Sequence, residues 1–201
     1  MVKLTLAQDK AADALLSKDP LALLIGMVLD QQIPLEWAFK GPLNLKERLG
    51  VPKLDAARLA AMDPNELALV FARPPALHRF PRANAARAQE LCRIVAEEYG
   101  NKASNVWATA ADGAELLKRV KALPGFGTQK AKIFVALLGK QLGVQPAGWR
   151  EVAGEYGAEG SFKSVADIEG PESLALVRKF KQERKAAAKA AAESAAATAA
   201  E

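Results

Sequence analysis

The chain predicts an all-α fold. Three observations carry that expectation. Apolar residues recur at helical spacing along most of the sequence, aspartates stand where first turns need caps, and period-two alternation is confined to residues 1–6. Those six residues admit a short edge strand. From Ala7 onward the reading is helical. "LAQDKAADALLS" shows recurring apolar positions, and Asp19–Pro20 starts a new element. Residues 21–37 predict a mostly buried helix that ends or bends near Ile33–Pro34, because proline lacks the N–H donor and restricts the residue before it. "NLKERLG" predicts a short helix stopped by Gly50. "DAARLAAM" and "DPNELALVFA" follow, each with an aspartate placed to cap its first turn. After the loop "RPPALHRFPRAN" comes a strong amphipathic helix over residues 85–99. Residues 133–142 are apolar on nearly every side, as suits a central helix, and "GVQPAGW" breaks the pattern before another short helix. The total is about nine or ten short helices with tight joints. The Ala/Lys-rich end, residues 186–201, has high helix propensity but no apolar face to dock, and reads as a disordered tail or a charged arm.

Composition narrows the function classes. The 201 residues suit one domain or two small lobes sharing a core, and at 50% hydrophobic content most of the chain is expected to fold. The net charge of +5 permits an anionic partner without demanding one; residues 178–201 hold six basic and three acidic residues, so only +2 remains upstream. The single cysteine, Cys92, excludes an internal disulfide framework and a four-cysteine metal or iron–sulfur site, and no metal is expected. The longest apolar run, residues 21–29, is about half of what a membrane crossing needs. The first residues turn polar too early for a signal peptide. The expectation is a cytoplasmic protein without membrane contact.

The stretch that directs function is "LPGFGTQKAKIFVALLG", residues 123–139. Two glycines one residue apart stand between helix-forming runs, with Lys130 and Lys132 just beyond and Lys118 and Lys121 before. A helix beginning near Thr128 offers unpaired N–H groups and the positive end of its dipole, which favour a phosphate. An ordinary corner between two helices is the plainer reading. This stretch resembles the helix-hairpin-helix element of the base-excision DNA glycosylase superfamily, whose relatives include endonuclease III and the adenine and alkyladenine glycosylases. "LIGMVLDQQIPLEWAF" is similar to the family segment in which a buried helix ends in a Gln-Gln pair near the lesion pocket. "ANAARAQELCRIVAEEYG" is similar to the helix after the lesion-side loop. The resemblance covers residues 21–149, with the hairpin at 118–139. It implies a two-lobed helical fold, residues 1–20 packing with a C-terminal lobe that includes helices over 150–185, and a partner of double-stranded DNA carrying a lesion or mismatch. It also implies localisation to the cytoplasm and nucleoid, no obligate protein partner and no cofactor.

The activity implied is hydrolysis of the N-glycosidic bond of a damaged or mismatched base; the alternative is a catalytically inactive DNA binder of the same fold. The sequence departs from the family in three ways. The family's catalytic aspartate would fall near Ala147, where none stands. The lysine nucleophile of the strand-cleaving members falls in register on Gln129, with Lys130 one place and about 100° further round the helix, so a monofunctional glycosylase without lyase activity is expected. The iron–sulfur cysteines are also missing. For the missing carboxylate the candidates are Asp30, which follows nine apolar residues and is otherwise a simple polar boundary, and secondarily Glu151. Gln31, Gln32 and Trp149 are expected in the base pocket, amides being able to donate and accept at a base edge. Gly125, Phe126, Gly127, Thr128, Lys130, Lys132, Arg79 and Arg82 are expected on the DNA backbone. His78 reads as a loop residue making local hydrogen bonds, and Phe80 as a core plug or a stacking group.

Overall fold

A computed structural model describes residues 3–198, with side chains described through residue 192. The fold is all-α: eleven α-helices and two short 3-10 turns, with no strand among the described residues. The alternation at the N-terminus is used differently from the edge strand expected. Leu4 and Leu6 are fully buried in the core, and the Leu4 amide donates to Ser17 Oγ rather than to a neighbouring strand.

Aspartates set the helix starts. Asp9 caps α1 (Lys10–Lys18) and Asp19 caps α2 (Pro20–Leu29), each accepting two backbone amides. Asp63 caps α5 (Pro64–Ala72) in the same way, and Asp55 caps α4 (Ala56–Ala61) and Asp112 caps α8 (Gly113–Ala122) by accepting one amide each. Each such cap contributes about 1 kcal/mol. All nine residues 21–29 of α2 are buried. The helix ends at Leu29, earlier than the bend expected near Pro34: the Gln31 amide folds back to the Leu29 carbonyl and Gln32 takes a left-handed φ of 56°. The chain then enters α3 (Leu35–Arg48), which runs through a buried Pro42, and Gly50 at φ 62° closes it.

The helix α6 (Pro81–Glu98) packs against α4, α5 and α2. After α7 (Asn105–Ala108), α8 and α9 (Thr128–Gln141) form a helical hairpin, against which α10 (Trp149–Ala153) packs. Six consecutive α9 residues, 134–139, are buried, so α9 is the central helix of this group as α2 is of the first. Gly139 exists because of Trp149: a Cβ there would lie 2.3 Å from the indole ring.

The last helix, α11 (Pro171–Thr198), corrects the expectation of a disordered tail. It docks Leu174 and Val177 on the 3-10 turn Val165–Asp167 and then continues as helix with every residue from 181 to 192 exposed. The expected lack of an apolar face is observed, but alanine propensity is enough to hold the helix to Thr198. Residues 199–201 of the expected tail lie outside the described residues.

Candidate functional site

The end of α2 meets the hairpin turn. Gly125, at φ 82°, lies against Val28 and the Gln31 side chain; a Cβ there would stand 3.6 Å from Gln31 Nε2. The turn bonds internally only at its inner residues. The Leu123 amide donates to the Val120 carbonyl and the Phe126 amide to the Leu123 carbonyl, and the first bond of α9 runs from Ala131 N to the Gly127 carbonyl. Among the described residues, no hydrogen bond starts at the amides of Gly125, Gly127, Thr128, Gln129 or Lys130, and Gly127 has no side-chain cap. Gly127, Thr128 and Gln129 are exposed. These are the unspent donors expected at a helix start.

Phe126 belongs elsewhere. Its amide is spent and its ring is buried edge-on against Phe134, centroids 5.6 Å apart, so it braces the hairpin and offers a backbone ligand nothing.

Lys130 also departs from expectation. Its position in the first turn of α9 points the side chain inward, where Nζ donates to the Met27 carbonyl at 2.7 Å. Burial pulls its pKa down to about 8, against the opposing attraction of Asp30 and with Arg87 lowering it further. About a tenth of such an amine is neutral at pH 7. Asp30 caps the end of α2 with its amide bonded to the Gly26 carbonyl. Its carboxylate accepts no hydrogen bond among the described residues. Burial raises its pKa, while Lys181 and Lys130 pull it down. Asp30 and Lys130 thus lie within electrostatic reach of one another, each favouring the other's charged form against burial. The neighbouring Gln129 turns the other way, donating through Nε2 to the Tyr156 hydroxyl at 2.8 Å.

The glutamines divide. Gln31 is half-buried, and its amide nitrogen is held by the Val28 carbonyl at 2.9 Å, so one donor of the expected base-reading group is already spent. Gln32 is exposed. Trp149 does not join them: only 6% exposed, it fills the gap over Gly139 with Arg150 stacked on its ring at 4.6 Å, and is a packing residue. Glu151 stands exposed on α10, and no hydrogen bond or ion pair connects it to Asp30 or Lys130. Lys132 is half-buried on the far side of α9, near Gly154.

The loop between α5 and α6 closes the other side. The His78 Nδ1 accepts from the Phe80 amide at 3.0 Å, which leaves Nε2–H to donate to the Gln31 carbonyl at 2.7 Å. Asn84 Nδ2 also reaches Nδ1 at 2.7 Å. His78 is thus a buried neutral tie between the loop and the end of α2, its pKa lowered chiefly by burial. Arg48 holds the Val70 and Pro75 carbonyls, and Trp37 Nε1 holds the Ala76 carbonyl. From this braced segment Phe80 projects 46% exposed, which overturns a core plug, with the Arg79 guanidinium 4.6 Å from its ring centroid. Arg79 and Arg82 are exposed. Sequence reading missed Arg87, whose charge reaches both Lys130 and His78; nothing local set it apart from the other arginines of α6.

Compared with protein families, curated proteins and solved structures, the chain matches none. The site therefore stands on its own geometry. That geometry is a turn with unspent amides, Asp30 and Lys130 within electrostatic reach of one another beside it, and an arginine-bearing loop tied to the same α2 terminus. No group of three or more His, Cys, Asp or Glu residues suited to a metal occurs among the described residues, and no described helix is long and apolar enough to cross a membrane.

Proposed function

We propose that this chain is a DNA-binding protein of the helix-hairpin-helix glycosylase type that releases a damaged or mismatched base by hydrolysis. The observation that carries this reading is the junction of unspent hairpin amides with the Asp30–Lys130 pair. The amides of Gly125, Gly127, Thr128 and Gln129, at the positive end of α9, suit a phosphate of the DNA backbone. Such a contact would set the strand beside the end of α2. Helices α1–α6 form one lobe and α8–α10 the other, with the joint between them as the lesion cleft. A base turned out of the stack there meets Gln31 and Gln32. As its N-glycosidic bond lengthens, positive character grows on the sugar, and the Asp30 carboxylate supplies the opposing charge and accepts a proton from the attacking water. The resemblance supports this arrangement, with Asp30 standing in for the aspartate that is absent near Ala147.

The test is base release from duplexes carrying uracil, alkylated purines or oxidised bases. Asp30→Asn should lower release by about 10²–10⁴-fold and leave DNA affinity in place. Undiminished release by that variant removes Asp30 from the reaction. DNA binding with no release from any lesion assigns the chain to damage recognition without catalysis.

A second reading rests on one observation, the depressed Lys130 amine beside Asp30. We infer that Lys130, rather than Gln129, is the residue placed to attack the sugar. The neutral amine forms a bond to C1′ and the base departs with the bonding electrons. The C1′–O4′ bond then opens, O4′ taking up the proton that the nitrogen releases, and the resulting iminium loses a C2′ proton to Asp30 toward strand cleavage. Borohydride should then trap a covalent protein–DNA adduct that Lys130→Met does not form. Absence of the adduct from the unmodified chain leaves water as the nucleophile.

A further inference from the structure

The helix α11 crosses the face described above. Arg178 pairs with Glu36 on α3. One turn later Lys181 bears on Asp30. Arg184 bonds the Tyr156 hydroxyl at 3.1 Å, the same hydroxyl that accepts Gln129 of the hairpin turn, and pairs with Glu155 at 3.3 Å. These contacts, with Leu174 and Val177 buried beneath, fix the base of α11 in register with the hairpin. Beyond them the helix continues into solvent. Lys181, Lys185 and Lys189 recur at every fourth residue, so they share one face. The flanking residues 186–188 and 190–192 are all alanine.

A wholly exposed helix of alanines offers a protein partner little to bury. What it offers is positive charge at regular spacing, starting beside the proposed reaction site. We propose that α11 is a DNA-binding arm whose lysine stripe, Lys181, Lys185 and Lys189, follows the backbone of duplex DNA away from Asp30. The proposal rests on the DNA reading of the site. Eight residues of helix rise about 12 Å, which spans about three to four phosphates of one strand at about 3.4 Å each along the duplex axis. Three ammonium groups on one face match that run of charge. The long rigid helix also explains why residues 185–192 are only lysine and alanine: they need reach and charge, and no core.

The experiment is the salt dependence of duplex affinity by fluorescence anisotropy, comparing the full chain with a variant carrying Lys181→Gln, Lys185→Gln and Lys189→Gln. Glutamine keeps helix propensity close to that of lysine, and circular dichroism checks that the helix survives. Each phosphate contact contributes about 0.9 to the slope of log affinity against log salt, so the variant should lose about 2.7. Between 50 and 200 mM salt, as a worked range of about fourfold, its affinity should change about 40-fold less than that of the unmodified chain. An unchanged slope in a variant that still binds assigns the stripe to solvent or to a protein partner and overturns the arm alone. Failure of the unmodified chain to bind duplex overturns the arm together with the DNA reading.

Discussion

Replacing Lys130 with methionine tests the central electrostatic feature of the site without any substrate. Nζ is held in the joint between the two helix groups, and burial depresses its pKa from 10.5 to about 8. Between those values the unfolded chain binds more protons than the folded one, so the lysine makes stability rise with pH across the window from about 8 to 10.5. At about 1.4 kcal/mol per pH unit the gap is worth about 3 kcal/mol. Part of the side chain still meets water, which reduces the expected effect to about 2 kcal/mol. The variant lacks this dependence, and its loss of the bond to the Met27 carbonyl costs about 1 kcal/mol at every pH. Below pH 8 Lys130→Met should therefore be the more stable form by about 1 kcal/mol, and above pH 10 the less stable by a similar amount. Urea unfolding of both proteins at pH 7 and at pH 10.5 measures this, because every other titrating group is common to both and cancels. A stability difference that stays constant across that range would refute the inward, desolvated placement of the amine.

Two further outcomes follow from the packing and the loop. Gly139→Ala drives a methyl group into the Trp149 ring, which Arg150 covers from above, and should destabilise by about 2–3 kcal/mol in chemical denaturation. For His78, burial lowers the folded pKa below 6.5, so its contribution to stability is present above that value and is lost as pH falls through it. Protonation would also place a donor at Nδ1 against the Phe80 N–H. The melting temperature should drop between pH 7.5 and 5.5, and His78→Gln should flatten that slope; equal slopes would place the pH sensitivity elsewhere.

Local chemistry was legible in the sequence. Asp55 and Asp63 cap the helices they precede, residues 133–141 lie in the central helix of their group with Leu142 as its cap, and the glycine-bearing turn falls between two helices where its pattern placed it. These features depend on residues within a turn or two of each other. What escaped depends on residues far apart in the chain. Lys130 looked like a phosphate-facing cation because it follows the glycine turn with Lys132 close by, yet its direction is set by a carbonyl 103 residues upstream. Trp149 looked like a cleft aromatic because the notch that receives it is made by Gly139 on another helix and the close approach of Gly113. The end of the chain was misjudged for a different reason. Lacking an apolar face argues against docking, and docking is not required for a helix that is already nucleated by the buried turn at Leu174 and Val177.

The segment carrying Arg79 and Phe80 is moored at Val70, Pro75, Ala76, His78 and Asn84 by side chains from two different helices and from within itself. Such a mount gives a projecting aromatic ring almost no compliance. Whatever presses against it must supply the deformation, and a base step in a duplex yields more readily than this scaffold does. On the proposed DNA reading, the burden of adapting shape on contact falls on the duplex.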